Sequence, residues 1–283
     1  MSRTRTTSQV GNLSPGGTSD TAQRARGADI RPLPAAHLLA IGAERAGRHR
    51  AATHHMVTAD ITRTRSLITA SPAGLSFTAF TVACVARAVA EHPEVHAYRD
   101  WRGRCVTHRH VDVTVPIETR TPNGSLVTEC VVRDADIRDV EGISAELRAA
   151  EGGRQRSGLE GITERFPFLM RVPGVARALC TVLDRSVWAR RRTGTVAVTT
   201  VGRPGTGSGF GIIPPSLMPL RVVVGGTTRR PHTSGHLIDW HEMLDLTITF
   251  DRHLVTDASA ARFVERLRSM IDDAEVLPQQ WPS

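Results

Sequence analysis

Apolar and polar residues alternate over several short stretches of the chain, and between these stretches the apolar residues recur at helical spacing. The clearest alternation is in 244–250, where four apolar positions share one face: Leu244, Leu246, Ile248 and Phe250. Similar patterns predict strands at 111–117, 126–132, 195–201 and 221–224. Helices are expected after Ser76, after Asp139 and over 260–271. Strands mixed with amphipathic helices predict an α/β fold, a two-layer sandwich in which helices cover one mixed β-sheet.

The first 30 residues differ in composition from the rest of the chain. Residues 1–30 are rich in Ser, Thr, Gly and Arg and offer almost nothing to bury, which predicts a disordered basic tail. Residues 31–283 contain no internal repeat or second linker, so we expect one domain there. Within it, 151–193 is interpreted as an arginine-rich helical insertion, interrupted by Pro167 and Pro173.

All 36 basic residues are arginine, since the sequence contains no lysine, and the formal net charge is +8. The absence of an ε-amine excludes Schiff-base chemistry and phosphate-binding loops that end in Gly-Lys-Ser/Thr. Nucleic acid is not expected as a partner, because no interleaving of basic and aromatic residues accompanies the charge. No apolar run reaches the ~18 residues of a membrane span, and no secretory signal is visible, which predicts a cytoplasmic protein without a membrane partner.

Three further motifs are interpreted as structural. The glycine-rich stretch 202–211 does not fit G-x-G-x-x-G in any register, so we expect a loop that lines a pocket. The run of arginines at 190–192 could bind phosphates, but we expect it to be a solvated helix end. The clustered histidines are expected to be solvated surface residues, with no metal bound: His54, His55, His108, His110, His232, His236 and His241.

The segment 250–257 holds the residues best able to carry chemistry. A strand ends at Phe250, a short loop carries His253, and Asp257 stands near the start of the last helix. A histidine held in such a loop can act as a general base, and a carboxylate four positions on can fix the loop or the ring. The same residues are also typical of a helix N-terminus, with Thr256 or Asp257 as the cap and His253 as an ordinary loop residue. Spacing alone favours the second, structural interpretation, because two residue types at one spacing are a weak motif.

The stretch LDLTITFDRHLVTDASAARF, at 244–263, resembles the active-site region of the dihydrolipoyl acyltransferases of 2-oxoacid dehydrogenase complexes. That family carries Phe/Tyr-Asp-His-Arg-x-x-Asp-Gly followed by Ala-Ala-Arg-Phe, and shares His-x-x-x-Asp-Gly with chloramphenicol acetyltransferases. Other stretches resemble the family in the same order, so the likeness spans about residues 31–275: VDVTVPIETRTPNGSLVTECVVRDAD, GTVAVTTVG and SLMPLRVVVGGTTRRP. The resemblance implies a chloramphenicol acetyltransferase-like fold and transfer of an acyl group from a CoA thioester.

Carried over from the family, His253 is the general base toward a thiol, hydroxyl or amine acceptor, and Asp257 orients the loop. Thr199 matches the position whose hydroxyl stabilises the tetrahedral oxyanion. This assignment requires a one-residue shift in the loop. Without a gap, the family's histidine falls on Arg252, which stays protonated and cannot act as a base, and its aspartate falls on Thr256. Two hypotheses follow: a working acyltransferase with a displaced histidine, or a catalytically inactive relative that serves as a trimeric scaffold or an acyl-CoA binder.

The resemblance also implies substrates and partners. Acyl-CoA is expected as a substrate. A covalently bound lipoyl group is not expected in this chain, which has no lysine to carry one. The acceptor is unknown, and a lipoyl domain on another chain is one candidate. Because the family forms trimers with the histidine and the hydroxyl contributed by neighbouring subunits, we expect a homotrimer or a larger assembly.

Overall fold

In the computed structural model, the described residues are 33, 35–121, 124–152, 172, 174–201, 207–234 and 237–279. The strands are β1 (Ala52–Asp60), β2 (Tyr98–Arg99), β3 (Cys105–Val106), β4 (Val113–Thr121), β5 (Gly124–Val132), β6 (Val196–Thr200), β7 (Leu220–Ser234) and β8 (Leu237–Asp251). The helices are α1 (Ala35–Gly47), α2 (Thr62–Ala70), α3 (Phe77–Glu91), α4 (Val140–Glu151), α5 (Val175–Arg185), α6 (Val187–Thr193) and α7 (Asp257–Asp272), with a 3-10 turn at Pro93–His96. These elements belong to one unit, residues 35–283.

Six of the strands form one mixed sheet in the order β1-β8-β7-β6-β4-β5. The strand β6 runs parallel to both of its neighbours, and the remaining pairs are antiparallel. As a result, β8 ends where β4, β6 and β7 begin, at one end of the strands. Strands β2 and β3 form a separate two-stranded ribbon.

One face of the large sheet, which we call the helix face, is apolar. Its strand residues join a single buried cluster with side chains of α3, α4 and α7, such as Phe80, Ile143 and Phe263. Every second residue of β8 enters this cluster, since side chains alternate between the faces of a strand: Leu244, Leu246, Ile248 and Phe250. Burial of these side chains is the main stabilisation that the sheet and its helices share.

The predicted fold class is confirmed, because a mixed six-stranded sheet is covered by helices. The strand predicted at 244–250 is part of β8, which begins much earlier, at Leu237. The strand predicted at 221–224 likewise continues as β7 to Ser234. The sequence pattern did not predict β1, α1 or α2, whose apolar residues are few or irregularly spaced.

Two helix starts illustrate how local sequence acts. The predicted cap at Asp139 is confirmed, since its side chain accepts the N–H of Gly142 at 3.0 Å. Ser76 stands at the N-cap of α3, but its side chain makes no capping hydrogen bond. Its backbone N–H instead donates to Oγ of Ser144 at 3.1 Å, which ties α3 to α4.

Several predictions lie outside the described residues. These are the tail at 1–30, the part of the insertion at 153–171 and 173, and the first part of the glycine-rich stretch at 202–206. The described end of the insertion forms α5 and α6.

Candidate active site

The loop that follows β8 is fixed by backbone hydrogen bonds. The N–H groups of Leu254 and Val255 both donate to the carbonyl oxygen of Asp251, each at 3.0 Å. The N–H of Arg252 donates to the carbonyl of Ala51 at 2.8 Å, which ties the loop to the residue before β1. These contacts hold His253 within the turn at the end of the strand.

His253 lies in this turn between solvent and a buried carboxylate. Its side chain is 50% exposed, and its Nδ1 is 3.5 Å from Oδ1 of Asp251. The backbone N–H of His253 donates to the same oxygen at 3.1 Å. The ring is therefore accessible to a substrate on one side while the other side faces Asp251.

Asp257 is the exposed first residue of α7. The helix is capped by the preceding residue, because Oγ1 of Thr256 accepts the N–H of Ser259 at 3.2 Å. Within the part of the chain that the structure describes, no hydrogen bond or ion pair joins Asp257 to His253. The sequence left two alternatives for the cap, and the structure selects Thr256.

Thr199 lies in β6 on the other face of the sheet, which we call the polar face. It is half-buried and pairs with Val223 of β7, which in turn pairs with Thr247 of β8. Thr200 pairs with Val224, whose side chain belongs to the apolar core of the helix face. The two threonines therefore point to opposite faces, as expected for neighbours in a strand.

Thr199 and His253 do not meet within one chain. Thr199 is level with Thr247, two strands away from it across β7, whereas His253 lies beyond the end of β8. Even Asp251, the last residue of β8, lies roughly 15 Å from Thr199, because two strand spacings and four residues along the strand separate them. A site that uses both side chains therefore has to draw them from different copies of the chain.

Sequence reasoning missed a buried carboxylate on the polar face. Asp245 is fully buried, and its Oδ2 accepts from Oγ of Ser208 at 2.6 Å and from the N–H of Gly209 at 2.9 Å. Its Oδ1 accepts from Oγ1 of Thr58 at 3.0 Å. Asp245 thereby attaches the described end of the glycine-rich stretch to the sheet. The only signal in the sequence was an acidic residue at an alternating position inside a strand.

The glycine pair at 225–226 is required by the same attachment. A Cβ on Gly226 would overlap the carbonyl oxygen of Gly207, and a Cβ on Gly225 would overlap that of Gly209. The loop therefore crosses β7 at a distance that only glycine permits.

The interpretation of residues 190–192 as a solvated helix end is wrong for Arg190. Its side chain is 1% exposed and pairs with the equally buried carboxylate of Asp184, at 2.5 Å between Nη2 and Oδ1. Arg50 also contacts Asp184, so one carboxylate holds two guanidinium groups. Burial lowers the pKa of Arg190 to about 10, which leaves it charged at neutral pH.

Two clefts lie at the end of the strands that also carries the His253 loop. A cleft of about 190 Å³ opens beside Arg50 and Asp251. A larger cleft of about 430 Å³ is lined by His108, Arg109, Arg191 and other residues near the start of β6. Guanidinium groups recognise phosphate and carboxylate oxygens, but Asp112 and Asp134 line this cleft as well, and Arg133 already pairs with Asp112.

The expectation that the clustered histidines are solvated holds for His54, which is exposed in β1 although its ring contacts β8, and is wrong for His55, which is only partly exposed in the same strand. Nδ1 of His54 is 2.9 Å from Oγ1 of Thr249. Burial, and to a smaller extent Arg221, lowers the pKa of His54 below its usual value. The ring of His55 packs edge-on against Phe250. His236 lies outside the described residues.

The described residues contain neither a metal-binding cluster nor a membrane-spanning helix. No group of three or more His, Cys, Asp or Glu side chains in them could hold a metal ion. No helix in them is long and apolar enough to cross a membrane.

Known structures share this fold at low sequence identity. A probable dihydrolipoamide acetyltransferase from Listeria monocytogenes has a TM-score of 0.62 and 17% identity, covering 91% of this chain and 99% of that one. The cubic core of a pyruvate dehydrogenase multienzyme complex has a TM-score of 0.60 and 17% identity, covering 94% and 98%. A chloramphenicol acetyltransferase has a TM-score of 0.50 and 15% identity, covering 86% and 98%.

The sequence itself identifies the family. No curated protein sequence matches at a significant level. The family described as 2-oxoacid dehydrogenases acyltransferase (catalytic domain) matches over residues 44–159 and 190–278, which include the β6 strand and the His253 loop. The chain therefore belongs to the 2-oxoacid dehydrogenase acyltransferase family, as a catalytic domain of the acyltransferase type.

Proposed function

We propose that this protein transfers an acyl group from a CoA thioester to a thiol, hydroxyl or amine acceptor, with His253 as the general base. The observation that carries the proposal is the position of His253, half exposed in a fixed turn within the matched family region. A general base must be accessible to the proton that it removes and must be held in place. The cytoplasm is the compartment that we propose.

The reaction assigns a role to each candidate residue. The ring of His253 takes the proton of the acceptor while the acceptor attacks the thioester carbonyl. The hydroxyl of Thr199 donates to the oxyanion that forms, an interaction that typically contributes ~3 kcal/mol or more. Asp257, exposed at the start of α7, has the smaller role of shaping the loop.

We propose a homotrimer or larger assembly in which one subunit supplies His253 and its neighbour supplies Thr199. The separation of the two residues within one chain supports this arrangement, because a single copy cannot bring them together. One structure with the same fold is the cubic core of a multienzyme complex, which is an assembly of many subunits.

Acyl-CoA is the proposed donor substrate, and the acceptor is open. A dihydrolipoyl group carried by another chain is one candidate. The family is that of the 2-oxoacid dehydrogenase acyltransferases, and one protein with the same fold is a probable dihydrolipoamide acetyltransferase. This chain contains no lysine to which a lipoyl group could be attached.

A second candidate function is an inactive relative that keeps the assembly and binds acyl-CoA without turnover. The cap at Thr256 favours it, since the ungapped comparison puts the family's aspartate at that position and leaves Arg252 where the histidine should be. Arginine cannot remove a proton at any relevant pH.

Thiol release from a panel of acyl-CoA thioesters, with dihydrolipoamide and small amine or hydroxyl acceptors, tests the two candidates. We expect turnover by the natural chain and a loss of at least 100-fold in His253→Ala, with His37→Ala of the exposed face of α1 as the matched control. Acyl-CoA binding without thiol release for any acceptor would instead favour the inactive relative.

A swap variant separates the two loop registers. The double change Arg252→His with His253→Arg restores the family's order of residues. If His253 is the working base, the swap lowers turnover, because the histidine leaves its turn beside Asp251. A many-fold gain in the swap would show that the natural loop is the defective version.

A further inference from the structure

The carboxylate that touches the His253 ring is not Asp257, the one that the His-x-x-x-Asp-Gly spacing suggests. Oδ1 of Asp251 lies 3.5 Å from Nδ1 of His253 and accepts the backbone N–H of the same residue at 3.1 Å. Asp257, the motif carboxylate, is exposed at the helix start and makes no hydrogen bond or ion pair to the ring among the described contacts. The side chain that can orient the ring is therefore Asp251.

Asp251 is itself held in a fixed position. Its side chain is 7% exposed, and Oδ2 is 3.7 Å from Nε of Arg50. Arg50 is nearly as buried and also contacts Asp184 and the carbonyl oxygen of Ser216, the latter at 2.8 Å. Asp184 in turn pairs with the buried Arg190. The four groups form a buried chain of alternating charge, Asp251–Arg50–Asp184–Arg190, which ends at the His253 ring.

Buried ions persist only when they are paired, because removing one partner leaves an uncompensated charge. Asp251 consequently has little freedom to rotate away from the ring. Its backbone carbonyl and both of its side-chain oxygens make contacts that hold it in place. A separation of 3.5 Å is long for a hydrogen bond, and catalytic hydrogen bonds of this kind often shorten when substrate binds.

We propose that Asp251 is a positioning residue for His253, held by Arg50, and that it keeps the proton of the neutral ring on Nδ1. The proposal rests on the proposed function for its catalytic meaning. In a neutral imidazole one nitrogen carries the proton and the other carries the lone pair, and the partner of the first decides which is which. With Asp251 at Nδ1, the lone pair is on Nε2, the nitrogen left free for the acceptor.

The proton balance of the step follows from this tautomer. The acceptor gives its proton to Nε2 and its electron pair to the thioester carbon, and the C–S bond to CoA breaks as the tetrahedral intermediate collapses. The proton on Nε2 then passes to the departing CoA thiolate. Asp251 stabilises the transient imidazolium through Nδ1–H.

The ring tautomer can be read without any turnover. The full-length protein with ¹⁵N-labelled histidine is measured by two-bond ¹⁵N–¹H correlation NMR near pH 8, and the His253 signals are assigned by their loss in His253→Gln. The expected result is a ring protonated on Nδ1 in the natural chain. A ring protonated mainly on Nε2 in the natural chain would overturn the proposal without the need for any variant.

Variants then test the partner. Asp251→Asn is expected to shift the ring away from the Nδ1–H tautomer and to lower kcat at least 10-fold with little change in KM for acyl-CoA. Asp239→Asn, an exposed aspartate near the start of the same strand, is the matched control. A tautomer shift in Asp257→Asn but not in Asp251→Asn would assign the role to the motif carboxylate and overturn the proposal.

The two failures are distinguishable. If the natural chain has no acyl transfer activity, the NMR result still decides whether Asp251 sets the tautomer. If the chain is active and Asp251→Asn keeps both its tautomer and its kcat, the positioning role fails while the proposed function stands. Arg50→Lys, which keeps a cation beside Asp251, is expected to retain the Nδ1–H tautomer.

Discussion

The two faces of the central sheet are built from the same strands but are stabilised in different ways. On the helix face, β8 contributes Leu244, Leu246, Ile248 and Phe250 to one apolar cluster. On the polar face, the residues that follow each of them are almost equally buried yet carry hydroxyl and carboxylate groups: Asp245, Thr247, Thr249 and Asp251. Burial alone therefore does not distinguish the faces.

The difference lies in what each buried group needs. An apolar side chain needs only to leave water, and many neighbours can satisfy it. A buried carboxylate needs specific donors, because losing one leaves an unsatisfied group. The polar face meets this need through contacts distant in sequence, such as Thr58 and Ser208 for Asp245 and Arg50 for Asp251. That face and its edge also carry the candidate catalytic residues.

The largest expected loss of stability is on the helix face. Leu246→Ala removes a fully buried side chain and leaves a cavity, which should lower the free energy of unfolding by about 3 kcal/mol. Urea denaturation at neutral pH measures this. A loss below about 1 kcal/mol would mean that the core collapses around position 246 and that the helix face is only loosely packed there.

The next largest effect is expected at Asp245 on the polar face. Asp245→Ala leaves Thr58, Ser208 and the N–H of Gly209 without their acceptor, and should cost about 2 kcal/mol. Asp239→Ala, exposed on the same strand, is the control and should be near neutral. If both variants unfold at the same urea concentration as the natural chain, Asp245 does not stabilise the polar face.

The buried side chain of His96 tests, as a function of pH, what it costs to bury a polar group. Burial lowers the pKa of His96 to about 4, and its Nδ1 is 2.7 Å from Oγ1 of Thr195. The unfolded chain takes up this proton near pH 6.5 and the folded chain only near 4, so stability is lost as pH falls between these values. The contribution of His96 should be about 1.4 kcal/mol between pH 8 and 5.5. His96→Gln should flatten the measured dependence by that amount, and an unchanged slope would contradict the assignment.

The smallest effect on folding is expected for Met56, an apolar residue of β1 on the polar face whose side chain is 51% exposed. Met56→Ala should change the unfolding free energy of a single chain by less than about 0.5 kcal/mol. The measurement is made at several protein concentrations. A larger effect that grows with concentration would mean that a second copy of the chain covers Met56.

Assembly of the site from two chains can be tested by complementation. His253→Ala and Thr199→Ala should each be inactive, with Thr200→Ala on the opposite side of β6 as the control for the latter. When the two inactive variants are co-expressed at equal amounts, about a quarter of the shared sites in a closed ring combine an intact histidine with an intact threonine. Restored thiol release to that extent supports a site between subunits. If thiol release is not restored, either both groups act within one chain or they do not form the site together.

The fold was largely predictable because its core is encoded by local patterns. The alternation in 244–250 predicted the strand, and the capping signal at Asp139 predicted the start of a helix. The hairpin that extends β7 and β8 was not predicted, because 225–234 contains no large apolar residue and the apolar residues of 237–243 follow no strict alternation, so that only mutual pairing makes these segments strands. The strand β1 was missed for the same reason, since Ala52–Asp60 looks like a polar segment until it pairs with β8.

The candidate site was predictable only in part. The position of His253 in a loop between strand and helix followed from the sequence, and its catalytic role stays a prediction. The cap at Thr256 and the contact between His253 and Asp251 could not be chosen in advance, because several residues of the loop fit each role. The burial of Arg190 was also hidden, since a run of three arginines is typical of a solvated surface.

The sequence by itself determined the fold class and the family of this protein, because apolar periodicity and an ordered series of motifs depend on neighbours along the chain. Only the tertiary structure decided which carboxylate faces His253, what holds that carboxylate, and that Thr199 and His253 lie too far apart to act within one chain. Those features depend on charged and polar groups that meet across more than 100 residues of sequence, such as Arg50 and Asp251. Charges carry no periodic signal, and their partners are set by the path of the chain through space.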